Sequence, residues 1–325
     1  MDATIRYVVR RFAFALIASV GVITLVFLLF AFTPDPYLAE LLYYKTKYTR
    51  GNETAAVLQL KQAYITSRGL HRPLWVRYID WLSDIVTLDW GRSFQTGAPV
   101  SAMVAAYTKR TAMYVLPAVV VSAIASAFIG LYSAANRRTL LDRTISLGAY
   151  VGIGIPNFWL AAMALIFLRG GEMNAIQVFL NDPRIPLSRY VLPAAVLSTV
   201  LLGNQIHYAR AEIHEHLNER FVEVLRAKGL SNRRVAWQVL RNAAMPLTSV
   251  VFADLLAVLV LHVFVIEKIF SIPGLGRLLF LAVDTRDLPL ITGVMMVVVF
   301  VGIFGTLLQD VVALLLDPRV RDSNT

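Results

Sequence analysis

Residues 225–235 read LRAKGLSNRRV. Arg226, Lys228, Arg233 and Arg234 bring four positive charges and no acid, and Gly229 splits the run. Long apolar stretches stand on both sides of it. From Ala209 to Lys228 there is no Pro or Gly, and Ile213, Leu217, Phe221, Val224 and Leu225 recur at helical spacing. That pattern predicts one helix with an apolar stripe, broken at Gly229 because glycine tolerates the left-handed backbone of a helix end. Ser231 is placed to cap a second helix, with Val235, Ala236, Val239 and Leu240 on one side, ending before Pro246. A basic helical hairpin has two physical uses. It can lie on anionic lipid beside a membrane, or it can present its tip to a groove on a soluble partner.

The rest of the chain decides that a membrane is present. The 325 residues are 57% hydrophobic and 16% charged, with a mean hydropathy of +0.62. Soluble domains carry about a quarter charged residues, so this chain lacks the polar side chains to cover a water-facing surface. The absence of cysteine excludes a disulfide framework, thiolate metal sites and a cysteine nucleophile. The net charge of +10 fits loops beside anionic lipid; no basic–aromatic module for nucleic acid accompanies it.

A helix needs roughly 20 apolar residues to cross a bilayer. Six stretches qualify: Phe12 to Phe32, Thr111 to Ala135, Thr144 to Leu168, Tyr190 to Ala209, Met245 to Ile266 and Leu288 to Gln309. The first is longer than the apolar core of a signal peptide, and TPDPY follows it in place of a small-residue cleavage site, so it reads as a retained helix. The pieces near Ile176 to Leu180 and Ser271 to Leu281 are too short to cross and suit interfacial or re-entrant segments. Short loops before span one, between spans two and three, between four and five, and after span six (Arg319, Arg321) carry the basic excess. The positive-inside rule therefore puts both termini in the cytoplasm and residues 33–110 outside. That outer segment has helix-like patches at Glu53 to Ile65 and Trp75 to Val86, and Asn52-Glu53-Thr54 fits a glycosylation sequon.

Single residues narrow the chemistry. His214 and His216 are two apart and face different sides of a helix, which is not the spacing of a helical zinc pair. Asp254, inside span five, either lines a substrate path with Asn204 or pairs structurally with His262 or a neighbouring chain. Gly152, Gly154 and Pro156 weaken helix regularity in span three and permit close packing, a packing role first and a hinge second. No GxxxxGK[ST] phosphate loop occurs, so the chain has no such site for ATP. No catalytic cluster of a membrane enzyme is visible, and no inverted repeat of an ion-coupled carrier.

FVEVLRAKGLSNRRVAWQVLRNAAMP, residues 221–246, resembles the cytoplasmic EAA loop of ATP-binding-cassette importer permeases of the dipeptide/oligopeptide branch. Glu223 takes the acidic position and Gly229 the glycine, while Val224 and Leu225 stand where small residues are usual. RYVVRRFAFALIASVGVITLVFLLF, HRPLWVRYIDWLSDIVTLDWGRSFQTGAPV, GIPNFWLA, and IEKIFSIPGLGRLLFLAVDTRDLPLITG with LLQDVVALLLDPRVR are similar to further family elements, in the family's order. Asp310 matches the family pattern too.

The resemblance implies an all-α membrane protein with six transmembrane helices in the MetI-like type I permease fold. It implies an N-terminal helix and external segment over 1–110, a five-helix core over 111–315 with the coupling loop at 209–246, and a cytoplasmic tail from 316. Glu223, Arg226, Ala227, Lys228, Gly229, Leu230 and Ser231 would contact the ATPase, and Pro273, Gly274 and Gly276 would form an outer plug. The chain itself would need no cofactor, since ATP and magnesium would bind two separate ATPase subunits. A second related permease, an extracellular substrate-binding protein and membrane lipid would complete the partners. Peptides are the expected cargo; oligosaccharides or nickel complexes by the same mechanism, and an ion-coupled carrier, are the alternatives.

Overall fold

The computed structural model describes residues 3–33, 38–39, 42–43, 47, 53–170 and 188–316, with side chains from 9–10, 12–33, 57–167 and 189–312 among them. Asn52, the segment Ile176 to Leu180, Arg319 and Arg321 lie outside the described residues. The described chain is helical: α1 (Ala3–Phe32), α2 (Glu53–Ser67), α3 (Leu74–Val86), α4 (Val100–Ala135), α5 (Leu140–Gly154) and α6 (Asn157–Gly170). After these come α7 (Ser188–Leu217), α8 (Arg220–Ala227), α9 (Asn232–Ala257), α10 (Val263–Ile269), α11 (Leu275–Asp284) and α12 (Leu288–Leu316). Five π-helical residues, Val258–His262, join α9 to α10. Among the described residues the one extended pairing is the Arg92–Pro99 bridge.

Among the described residues, four helical stretches are long and apolar enough to cross a membrane: Phe12–Phe32, Val100–Ala135, Asn232–Ile269 and Leu288–Val312. A fifth exists if α5 and α6 count as one span, but they meet at 94°. The expected span from Thr144 to Leu168 is thus broken, at the residues expected to weaken its regularity. Pro156 cannot donate to the helix ladder, and Ile155 is already extended, with ψ 118°. Gly152 does pack closely, since a Cβ there would lie 2.9 Å from the Thr199 carbonyl oxygen of α7. The expected fourth span, within α7, is 30 residues long but carries Asn204, Gln205, His207 and Arg210 among its apolar positions. Bare apolar side chains on α1, such as Phe14, Ile17 and Leu25, give it the surface of a lipid-facing helix.

Two compact units divide these elements. One comprises Leu16–Ala106 and Leu278–Val299. Its core gathers Ile23, Ile85 and Met296 with Trp81, Leu82 and Trp90, and the Tyr78 hydroxyl shares a 2.7 Å hydrogen bond with Thr24. Buried Asp287 caps α12, accepting from the Leu290 amide and from the Ser93 hydroxyl at 2.5 Å. The other unit contains Tyr107–Arg277, the start of α1 and the chain from Phe300. Tyr114, Leu197, Val263 and Ile266 anchor its main core, and a second cluster forms around Ile213, Val222, Val235 and Val239.

Candidate functional site

The second cluster explains why the basic run is held in a defined shape. The helix expected from Ala209 to Lys228 is two helices, because α7 stops at Leu217. Asn218 turns its amide back onto the His214 carbonyl at 2.8 Å, the local bond by which Asn competes with helix continuation. Glu219 is then extended (ψ 151°) at the start of α8, and its carboxylate pairs with His216. The break re-aims the apolar stripe. Val222 becomes buried beside Ile213, while Val224, expected on the stripe, is 51% exposed.

α8 ends in a Schellman motif. The Gly229 amide donates to the Arg226 carbonyl at 2.9 Å and the Leu230 amide to Leu225 at 3.2 Å, with Gly229 at φ +75°. Leu225 and Leu230 both pack on the Val222 cluster, which is the hydrophobic contact that accompanies this cap. Ser231 then occupies the N-cap position of α9 with extended backbone, but its side chain makes no capping hydrogen bond. The second helix does not end before Pro246. It runs on to Ala257, with the Thr248 and Ser249 hydroxyls bonding the Met245 carbonyl around the proline. The resulting tip presents Glu223, Arg226, Ala227, Lys228, Gly229 and Ser231 to solvent, with Leu230 half-buried beneath. Trp237 on α9 is 64% exposed.

A buried polar node, which no periodicity reveals, ties α4 and α5 to the part of α7 that leads into this hairpin. Asp142, near the start of α5, receives both Arg210 Nε (2.8 Å) and Nη2 (2.9 Å) from α7. It also accepts from the Ser133 hydroxyl of α4 at 2.5 Å and from the Arg138 amide at 3.0 Å. Fork-to-fork pairing of this kind fixes orientation as well as distance. Beside it, His214 accepts from Arg137 across α7. Burial, then the charges of Arg137 and Arg210, holds the His214 pKa below the usual 6.5, so the ring is neutral. Neither His214 nor His216 joins a metal-holding cluster among the described residues.

Pro273 and Gly274 form the turn into α11, and Gly276 lies in its first turn. The reason for glycine here is steric. A Cβ on Gly274 would lie 2.1 Å from Glu267 Oε1, and one on Gly276 would lie 2.6 Å from the Phe264 Cα. Buried Glu267 accepts from Thr111 (2.6 Å), Tyr114 (3.1 Å) and the Arg277 amide (3.0 Å), so one carboxylate ties α4 to the first turn of α11.

Within α9, Asp254 meets α7. Its two oxygens accept from Asn204 Nδ2 and Gln205 Nε2, each at 2.8 Å. It does not hydrogen-bond His262, whose Nδ1 instead faces the Asn157 amide at 3.4 Å. Gln205 went unremarked in the sequence beyond its polarity, yet it is the buried member of the group.

Comparison with known proteins places this arrangement among relatives. Residues 126–322 match the family model described as binding-protein-dependent transport system inner membrane component. The chain is 29% identical to the oligopeptide transport system permease protein AppB of Bacillus subtilis (strain 168), over 80% of this chain and 85% of that one. It is 30% identical to a protein of Brucella suis biovar 1 (strain 1330) named as a peptide permease, over 98% and 99% of the two chains. It is also 30% identical to the metal-staphylopine import system permease protein CntB of Staphylococcus aureus (strain Mu50 / ATCC 700699), over 78% and 80%.

Proposed function

The chain belongs to the family of inner-membrane components of binding-protein-dependent transport systems, and from that premise we propose that it is driven through the Arg220–Ser231 hairpin to import peptides. As a permease of an ABC importer it is a multi-pass membrane component that works with separate ATPase and substrate-binding components. The supporting observation is the hairpin tip. A rigid glycine turn, buried on its inner side and bare on its outer side, is shaped to insert into a groove. Exposed Val224 and Trp237 offer apolar contact and Arg226 and Lys228 offer charge. A hairpin made only to lie on lipid would need neither the Schellman turn nor the Asp142–Arg210 brace.

In this reading the hairpin and both termini face the cytoplasm, and two ATPase subunits serve this chain and a second, related permease that completes the path. ATP-driven closure of the ATPases displaces the two hairpins, and α9 carries that displacement into the membrane. The Pro273–Gly276 turn, locked by Glu267, acts as the outer plug, and substrate arrives from a binding protein outside.

Two experiments test it. The chain contains no cysteine, so Lys228→Cys is a unique crosslinking probe. It is expected to link to the ATPase, and failure of every tip position to link would overturn the coupling assignment. Cells lacking only this chain are expected to lose uptake of labelled di- and tripeptides. Retained peptide uptake with loss of an oligosaccharide or a nickel chelate would overturn the cargo and leave the mechanism standing.

A further inference from the structure

Asp254 is a formal charge set in an apolar helix, and the side chains that hydrogen-bond it are neutral. Asn204 and Gln205 each donate one amide hydrogen to it. Gln205 is 3% exposed and accepts from Ser126 on α4 at 3.3 Å, so the carboxylate is fixed from behind. Asn204 is exposed and Asp254 itself half-buried, so the group opens on the other side. No Lys or Arg among the described residues pairs with it. His262 lies within electrostatic range. Its Nδ1 lies 3.4 Å from the Asn157 side-chain nitrogen, and it makes no hydrogen bond to Asp254.

A charge with this environment does not face lipid, since an exposed polar side chain at membrane depth faces protein or water. The two amides satisfy lone pairs but bring no positive charge and no hydrogen-bonded cation, so the open side of the carboxylate suits a cationic ligand. One carboxylate and one amide oxygen are too few ligands for a metal ion. They do match a primary ammonium group, whose three N–H donors can meet both Asp254 oxygens and Asn204 Oδ1, the latter left free because Asn204 spends its nitrogen on Asp254. A peptide in transit carries such a group at its amino terminus. We propose that Asp254, framed by Asn204 and Gln205, is a transient binding site for the α-ammonium group of the transported peptide. This rests on the peptide-importer reading above. Neutral amide donors spread the carboxylate charge, and the open side lets the ligand leave, which is what a site on a transport path needs.

The test uses the complete transporter in proteoliposomes, with its ATPases and binding protein, and a labelled tripeptide offered with a free or an acetylated amino terminus. The binding protein is the same in every arm, so a change in the free-to-acetylated uptake ratio belongs to this chain. Asp254→Asn is expected to lower that ratio by at least about tenfold, and Asp254→Glu to restore part of it. Asn204→Leu should give a smaller loss in the same direction. An unchanged ratio in Asp254→Asn overturns the site. So does an equal loss for both peptides, and loss of the co-purifying second permease would then identify the carboxylate as a subunit contact. If the wild-type transporter moves neither peptide, the importer's cargo is wrong, and that failure is read before any variant is made.

Discussion

Substitution of Gly229 separates backbone conformation from contact more cleanly than any other change in the hairpin. The residue sits at φ +75°, and a Cβ built there would have no neighbour within 4 Å. A side chain therefore meets open space, and the whole cost is that of holding an L-residue in the left-handed region, about 1–2 kcal/mol. Alanine should fall near the lower figure, and valine, with its branched Cβ, at or above the upper one. Asparagine visits this region readily and should cost little. At 1.4 kcal/mol per decade, these values become roughly fivefold for Gly229→Ala and thirtyfold for Gly229→Val. They apply to the fraction of chains that present the formed turn, and so to the apparent affinity for an ATPase that docks on it. Titrating purified ATPase against the solubilised permease reads that affinity, and uptake in proteoliposomes reads the coupling. Gly229→Val binding and transporting like wild type refutes the reasoning. So does Gly229→Asn failing as badly as Gly229→Val, because a glycine needed for space and not for conformation would reject both.

Three other perturbations follow from the same unit. Asp142→Ala leaves Arg210 and Ser133 without their shared acceptor; with Arg210 27% exposed, the loss should be about 2–3 kcal/mol, short of a fully buried pair, and adding Arg210→Met should recover part of it in thermal unfolding. His214 binds a proton less readily folded than unfolded, so its contribution is intact above about pH 7 and is lost as pH falls through the unfolded value of 6.5. His214→Gln, which still accepts from Arg137, should flatten the melting profile between about pH 7 and 5; an unchanged slope would assign that dependence to other groups. Glu267→Gln turns one acceptor into a donor opposite Thr111, Tyr114 or the Arg277 amide and should cost about 1–3 kcal/mol in the same assay.

The sequence was legible wherever the signal is local. Gly229 as a helix end and the two short helices of the 33–110 segment follow from periodicity or from one residue's backbone preference and appear close to their expected bounds, while α1, α4, α7 and α12 contain their expected apolar spans but run past them, α4 from Val100. It misled where a local cue was outvoted. Pro246 reads as a helix stop, but the chain on either side has apolar faces to bury, and two hydroxyls occupy the carbonyl next to it. The opposite error came at Asn218, whose side-chain bond to the backbone ends α7 without any Gly or Pro. What could not be read at all are the pairings across distance. Asp142 and Arg210 stand 68 residues apart, and Asp254 and Gln205 stand 49 apart. A pattern of periods carries no information about which buried charge meets which.

Those two errors share a consequence for how the hairpin does work. Because α9 does not stop at Pro246, one helix runs from Asn232, the residue after the Ser231 cap, to Ala257. Twenty-two residues separate Asn232 from Asp254, which at 1.5 Å per residue is about 33 Å of continuous helix between the tip and the carboxylate. A force on the tip is thus delivered to Asp254 without crossing a loop. Because α7 does stop at Leu217, the tip sits on a separate segment from Asn204 and Gln205, held to α7 through the Val222 cluster, while the Asp142–Arg210 pair ties α7 to α5. Displacing α9 against α7 strains the two hydrogen bonds that frame Asp254. Stiffness on one side of the hairpin and a break on the other are therefore what would let an event at Gly229 change the affinity of a site deep in the membrane. Pro246 removes one backbone donor from the middle of that lever. Pro246→Ala should restore that donor and stiffen the helix, leaving ATPase docking near wild type while changing the uptake per ATP hydrolysed. Equal losses in docking and uptake would mean that the proline only helps the hairpin fold.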